Sequence, residues 1–222
     1  MTVHLHRDMD DLRKELLGMG SLVEEAINKA IHALANRDRA MAREVIDADS
    51  RIDLMELEVE EECLKLLALH QPVAVDLRYV VTCLKVNNDL ERMGDLAVNI
   101  AERADYISRH PVLALPGELN RMADGVRGMV RDSLDSLVRK DANLAREVLK
   151  RDDMIDEHNR NMFDKMTKLM MKDAEQVKQA IAFMSSSRAL ERIADHATNV
   201  AEDVVFMIEG EIIRHRGEQM EA

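Results

Sequence analysis

Thirteen residues of this 222-residue chain recur almost intact one hundred positions later, and that repeat constrains its folding more than any other feature. Leu90 to Glu102 reads LERMGDLAVNIAE and Leu190 to Glu202 reads LERIADHATNVAE, with eight of the thirteen positions identical. Upstream, AREVIDADSRID from Ala42 to Asp53 matches AREVLKRDDMID from Ala145 to Asp156 at an offset of 103, with seven of twelve identical. The offset changes by three between the two matches, which places the insertion in a connection rather than inside an element. A chain that repeats one programme in order is built from two copies of one supersecondary unit.

Each copy reads as helices. Met9, Leu12, Leu16, Met19, Val23, Ala26, Ala30 and Ala33 alternate three and four apart, the seam of an amphipathic helix. Asn36-Arg37-Asp38 interrupts it with Asp38 placed to cap the next helix, whose inner face carries Met41, Val45, Ile52, Met55, Val59 and Leu66 to about His70. Gln71-Pro72 stops that helix, and a third runs from about Val73 or Asp76 to Ser108. The stretch from His110-Pro111 to Pro116-Gly117 is richest in proline and marks the boundary between units. Beyond it the pattern predicts helices over about 118–139, from the Lys140-Asp141 turn to about 172, and from about 174 to 211. The expected fold is all-α: six long helices in two tandem three-helix bundles, residues 1–113 and 114–222. Composition agrees, since eight Gly, three Pro and 2% aromatics leave too little material for a sandwich or barrel.

A formal net charge of −12 sets the surface field against nucleic acid and anionic lipid, so neither is an expected partner. No window reaches the roughly 18 consecutive apolar residues of a membrane span, and Met1 to Asp11 lacks a secretory core, which predicts a cytoplasmic protein. Cys63 and Cys83 have no metal or redox spacing and read as small buried side chains. Met129, Met162, Met166 and Met184 fall on seams and read as packing.

The chemistry lies in the repeated helices. At about 100° per residue, Leu77, Val80, Leu84, Glu91, Asp95, Val98 and Glu102 share a sector of about 60°, oily at one end and acidic at the other. Val177, Ala180, Met184, Glu191, Asp195, Thr198 and Glu202 repeat it. Asp49 and Asp53 stand beside the seam residue Ile52, and Asp152 and Asp156 beside Ile155. Two readings remain open. The acids either sit at the bundle edge, solvated or paired with Arg92 and Arg192, or converge as oxygen donors for a hard cation such as Mg²⁺, Mn²⁺, Ca²⁺ or iron, with zinc the less suited. A carboxylate-bridged di-iron bundle is the alternative class, but it uses Glu-x-x-His, and none of the eight histidines has Glu three positions before it. No Gly-rich anion loop or nucleophile arrangement stands out, and Arg78, Arg92, Arg188 and Arg192 read as solvated or acid-paired.

At Glu91-x-x-x-Asp95 and Glu191-x-x-x-Asp195, and at HQPVAVDLR from His70 to Arg78, the chain resembles the PhoU family, the phosphate-specific transport system accessory proteins. The resemblance covers nearly the whole chain. It implies a non-enzymatic cytoplasmic adaptor for signal transduction in phosphate homeostasis, a negative regulator of phosphate uptake and of the phosphate-starvation response. It further implies as partners the ATPase of the phosphate ABC transporter and the PAS domain of a sensor histidine kinase, contact with the membrane only through those partners, and a homodimer. Some members carry multinuclear iron or other divalent metal. By position Glu91, Asp95, Glu191 and Asp195 are then ligands, with Asp49, Asp53, Asp152, Asp156, Glu102 and Glu202 as weaker candidates. The second copy has His196 for Leu96 and Thr198 for Val98, so the two sites need not take the same ion.

Overall fold

The computed structural model describes residues 3–213, so the outermost residues of the two expected units, 1–2 and 214–222, lie outside the described residues. Seven α-helices follow in order: α1 (Val3–Asn36), α2 (Arg39–His70), α3 (Ala74–Ser108), α4 (Gly117–Arg139), α5 (Ala142–Leu149), α6 (Asp152–Lys172) and α7 (Val177–Glu209), the last preceded by a short 3₁₀ turn, Ala174–Gln176. Helices α1–α3 form one three-helix bundle and α4–α7 the other, the two-bundle all-α fold that the repeat predicts. The fifth expected helix is interrupted at Lys150-Arg151, so α5 and α6 together occupy the place that the unbroken α2 holds in the first copy.

The helix ends follow from local chemistry. Asp38 accepts the Met41 amide at 3.0 Å and starts α2, and Asp141 accepts from the amides of Asn143 and Leu144 to start α5; each satisfies a donor that the first turn leaves unpaired. Gln71 closes α2 in a left-handed conformation, its amide bonded to the Leu67 carbonyl. Gly210 ends α7 in the same way at φ 77°, a conformation that costs a glycine little. Arg37 reaches across to the end of α3 and donates to the carbonyls of Ile107, at 2.6 Å, and His110, tying the first turn of the bundle to the linker.

The seams pack as their spacing requires. Leu12, Leu16, Met19, Val23, Ile52, Val59, Met93 and Ile100 are buried in the first bundle, and Met122, Met129, Ile155, Met162, Phe183 and Ile193 in the second. Full burial of each such side chain contributes about 1.5–3 kcal/mol. The buried apolar residues form one continuous cluster through both copies, and α3 against α7 is the most extensive helix contact in the molecule. Cys63 and Cys83 are both buried and free. Burial holds their thiols in the neutral form, pushing Cys83 up to about 12.

Candidate functional site: the acidic clusters and the seam between the repeats

The structure brings the acids of two helices together in each bundle. In the first, Asp49 and Asp53 of α2 face Glu91 and Asp95 of α3. Burial raises the Asp49 carboxyl, and the charges of Asp53 and Asp95 raise it further. Glu91 is raised by burial and then by Asp95, Glu56 and Asp53, with Arg92 acting against them. Gly94 makes the approach close: a Cβ there would stand 3.2 Å from Ile52 Cδ1 and 3.9 Å from Asp49 Oδ1. Arg92 partly offsets the acids, with Nε 3.3 Å from Glu91 and Nη1 3.4 Å from Asp95. It is half exposed, and such pairs are worth little in water.

The second cluster is the more strongly perturbed. Asp152 and Asp156 of α6 meet Glu191 and Asp195 of α7, and Asp153 adds a fifth carboxylate. Burial and then Asp195, Asp156, Asp153 and Glu191 push the Asp152 carboxyl up to about 6. Glu191 and Asp195 are also raised, first by burial and then by like charge, with Arg188, Arg192 and His196 opposing. Eight of the ten acids marked by the sequence therefore fall into two groups of four. Glu102 lies two turns beyond Asp95 and pairs with Arg103 at 3.8 Å; Glu202, half-buried, holds the same place beyond Asp195. The stripe lies along the margin of each seam, with Asp95 45% exposed, so the acids are neither fully in water nor in the core.

The donor set of each cluster is oxygen alone, concentrated and incompletely neutralised, which suits a hard cation. In their present orientation, no three Asp, Glu, His or Cys side chains among the described residues stand close enough to grip one ion. A cation there would require the carboxylates to close on it.

Spacing along single helices did not reveal the polar seam between the repeats. Helices α3 and α7 run antiparallel, and near the centre Asp89, 9% exposed, accepts from Asn199 Nδ2 at 3.2 Å and lies 2.8 Å from His196 Nδ1. Toward one end, Lys85 Nζ reaches the buried Asp203 Oδ1 at 3.0 Å, and Thr82 Oγ1 donates to the Asp203 carbonyl at 3.4 Å. His196 departs from its counterpart Leu96, and that departure is the signal available in the sequence. It joins the second acid cluster to the first repeat, since the same ring lowers Asp195 and contacts Asp89.

Comparison with known proteins places this arrangement. The profile of the PhoU domain matches twice, over residues 16–104 and 119–204. The phosphate-specific transport system accessory protein PhoU homolog of Aquifex aeolicus is 39% identical over 212 residues, 96% of either chain. That of Pseudomonas putida is 37% identical over 211 residues, 95% of this chain and 82% of the relative. The crystal structure of PhoU from Pseudomonas aeruginosa superposes with a TM-score of 0.90 at 35% identity, covering 93% of this chain and 99% of that one. The phosphate transport system regulatory protein PhoU from Streptococcus pneumoniae gives 0.87 at 30% identity, covering 94% and 99%.

Proposed function

The chain belongs to the PhoU family, a family of accessory regulatory proteins and not of enzymes, and on that premise we propose that it is a cytoplasmic negative regulator of phosphate uptake and of the phosphate-starvation response. It acts as an adaptor between the ATPase of the phosphate ABC transporter and the PAS domain of a sensor histidine kinase, as a homodimer. The observation that carries this reading is the double match: both repeats align with the family's domain, and relatives named as phosphate-transport accessory proteins align over nearly the full chain. No described helix is long and apolar enough to cross a membrane.

Alkaline phosphatase output in phosphate-rich medium tests the role. Deleting the gene should raise it, and restoring the gene should repress it; unchanged output on deletion overturns the reading.

The acid clusters are the regulator's proposed cation sites. Glu91 and Asp95 with Asp49 and Asp53, and Glu191 and Asp195 with Asp152 and Asp156, would hold iron or another divalent cation, which when bound would relieve the like-charge repulsion raising these carboxyls. Elemental analysis of the purified protein checks it, with the Ala variant of Glu91, Asp95, Glu191 and Asp195 expected to lose the metal and keep its helices. Equal metal content in both proteins defeats the assignment. The division at 113/114 is also a proposal, tested by the helicity of a chain ending at Leu113.

A further inference from the structure

The contact between α3 and α7 has two ends that the duplication relates, and they carry opposite chemistry. At one end Lys85 meets Asp203 at 3.0 Å and lies 5.4 Å from the centre of the Phe206 ring, while Arg78 Nε donates to the Met207 carbonyl at 3.3 Å. The offset of 100 carries Lys85, Asp203, Phe206 and Arg78 onto Ser185, Arg103, Tyr106 and Lys178. The buried carboxylate has become a guanidinium and its lysine mate a serine. A cation remains, and no acid is among the described residues that line the recess beside it.

Those four side chains, with Ile181 and Ala182, line a recess of about 350 Å³. Arg103 Nε is buried there and makes no hydrogen bond. Its Nη2 reaches only Glu102, a half-exposed neighbour on the same helix, at 3.8 Å, beyond hydrogen-bond range. The rest of the guanidinium is open to solvent, the side chain being 41% exposed, so its outer N–H groups are free to meet an acceptor from outside. No carboxylate lines the recess, although the chain carries 43 acidic residues against 31 basic ones. The recess between α1 and α2 contains Glu25, Glu44 and Asp49, and the one beside Phe163 contains Asp164 and Glu191; both already supply their own anions.

We propose that this recess binds a small phosphate-class oxyanion. The planar fork of Arg103 matches two oxygens of such an anion, and Lys178, exposed on α7, supplies a second positive charge that can move onto it. The hydroxyls of Ser185 and Tyr106 are neutral donors on the lining, and Ile181 and Ala182 supply its apolar part. The assignment uses neither the acid clusters nor the regulatory reading, so it stands or falls separately from them.

Calorimetric titration of the full-length protein with inorganic phosphate tests the site. A half-open site with two cations predicts one-to-one binding with a dissociation constant of about 1 mM or tighter. Arg103→Gln and Lys178→Gln should each weaken it by about tenfold, the loss of one charge-assisted contact. Arg160→Gln makes the same charge change at an exposed position elsewhere on the bundle and should bind as the parent does. Circular dichroism verifies that each variant keeps its helices, and Ser185→Asp, which places an acid opposite Arg103, should abolish binding in a folded protein. Absence of phosphate binding by the parent, equal affinity in folded Arg103→Gln, or an equal loss in Arg160→Gln overturns the proposal.

Discussion

In the first repeat the helix carrying Asp49 and Asp53 runs unbroken from Arg39 to His70, and Gly94 leaves room for Ile52 to lean toward α3. In the second, the matching helix breaks at Lys150-Arg151, Ala194 stands where Gly94 did, and the small residue has moved across the bundle to Gly125, where a Cβ would come within 2.6 Å of Ile155. Ala48 in the first copy corresponds to Arg151 in the second, whose guanidinium crosses to Asp132 at 2.6 Å. The recess that the first copy keeps between α1 and α2 includes Ala48; the second copy has a long ionic side chain at that position. Equivalent acids therefore sit on differently packed supports, and each cluster draws its fifth carboxylate from a different position: Glu56 in the first, where the second has Asn159, and Asp153 in the second, where the first has Ser50. A duplicated fold preserves the direction of its helices more strictly than the residues filling the gaps between them, because any filling that reaches native density stabilises the same helix arrangement.

The contrast between the two ends of the α3–α7 contact gives the largest expected effect. Lys85→Met removes the cation that meets the buried Asp203 and should cost about 3 kcal/mol, whereas Arg103→Met at the related position should cost less than about 1 kcal/mol because it loses no strong partner. Urea unfolding of both variants measures the difference; equal losses would abolish the distinction between the ends. Next is His196→Leu, which installs the first repeat's residue and deprives Asp89 of its ring partner. A loss of about 2 kcal/mol is expected, since Asp89 retains Asn199 but remains buried. Gly125→Leu, again copying the first repeat, should destabilise by about 1–2 kcal/mol through overpacking against Ile155.

The smallest effect distinguishes the acid clusters. The folded Asp152 carboxyl is raised to about 6 from an ordinary value of 3.8, so the folded state binds more protons between those values and stability falls as pH rises through them. The penalty is absent below pH 3.8 and complete above about 6. In chelator at pH 7, Asp152→Asn should raise stability by about 1 kcal/mol, the full shift being discounted for partial exposure. The gain should vanish near pH 4, and Asp49→Asn should show a smaller version. Thermal melts at the two pH values read the sign, and a loss of stability at pH 7 would contradict the like-charge account.

Much of this was legible locally. Asp38 at the start of α2, Gln71-Pro72 after it and the proline-rich linker each act on their own few residues, and the structure follows them closely. The pairing of Asp49 and Asp53 with Glu91 and Asp95 was legible at one remove, because all four lie on or beside seams that must face each other. The interruption at Lys150-Arg151 carries neither Gly nor Pro, so no local breaker signals it. Glu56 and Asp153 were missed as members of the clusters because single-helix spacing says nothing about what a neighbouring helix brings within Coulomb range.

The sequence alone determined the all-α class, the order of the helices apart from the break in the fifth, the duplication and which acids would travel together, because periodicity and capping act over a few residues and an internal repeat is visible without coordinates. The tertiary structure decided how deep those acids lie, that His196 and Asp89 meet across the repeats, and that Arg103 faces a recess where its counterpart Asp203 has a lysine. Burial and charge pairing depend on distances between residues about a hundred positions apart, and those distances exist only once α3 has packed against α7.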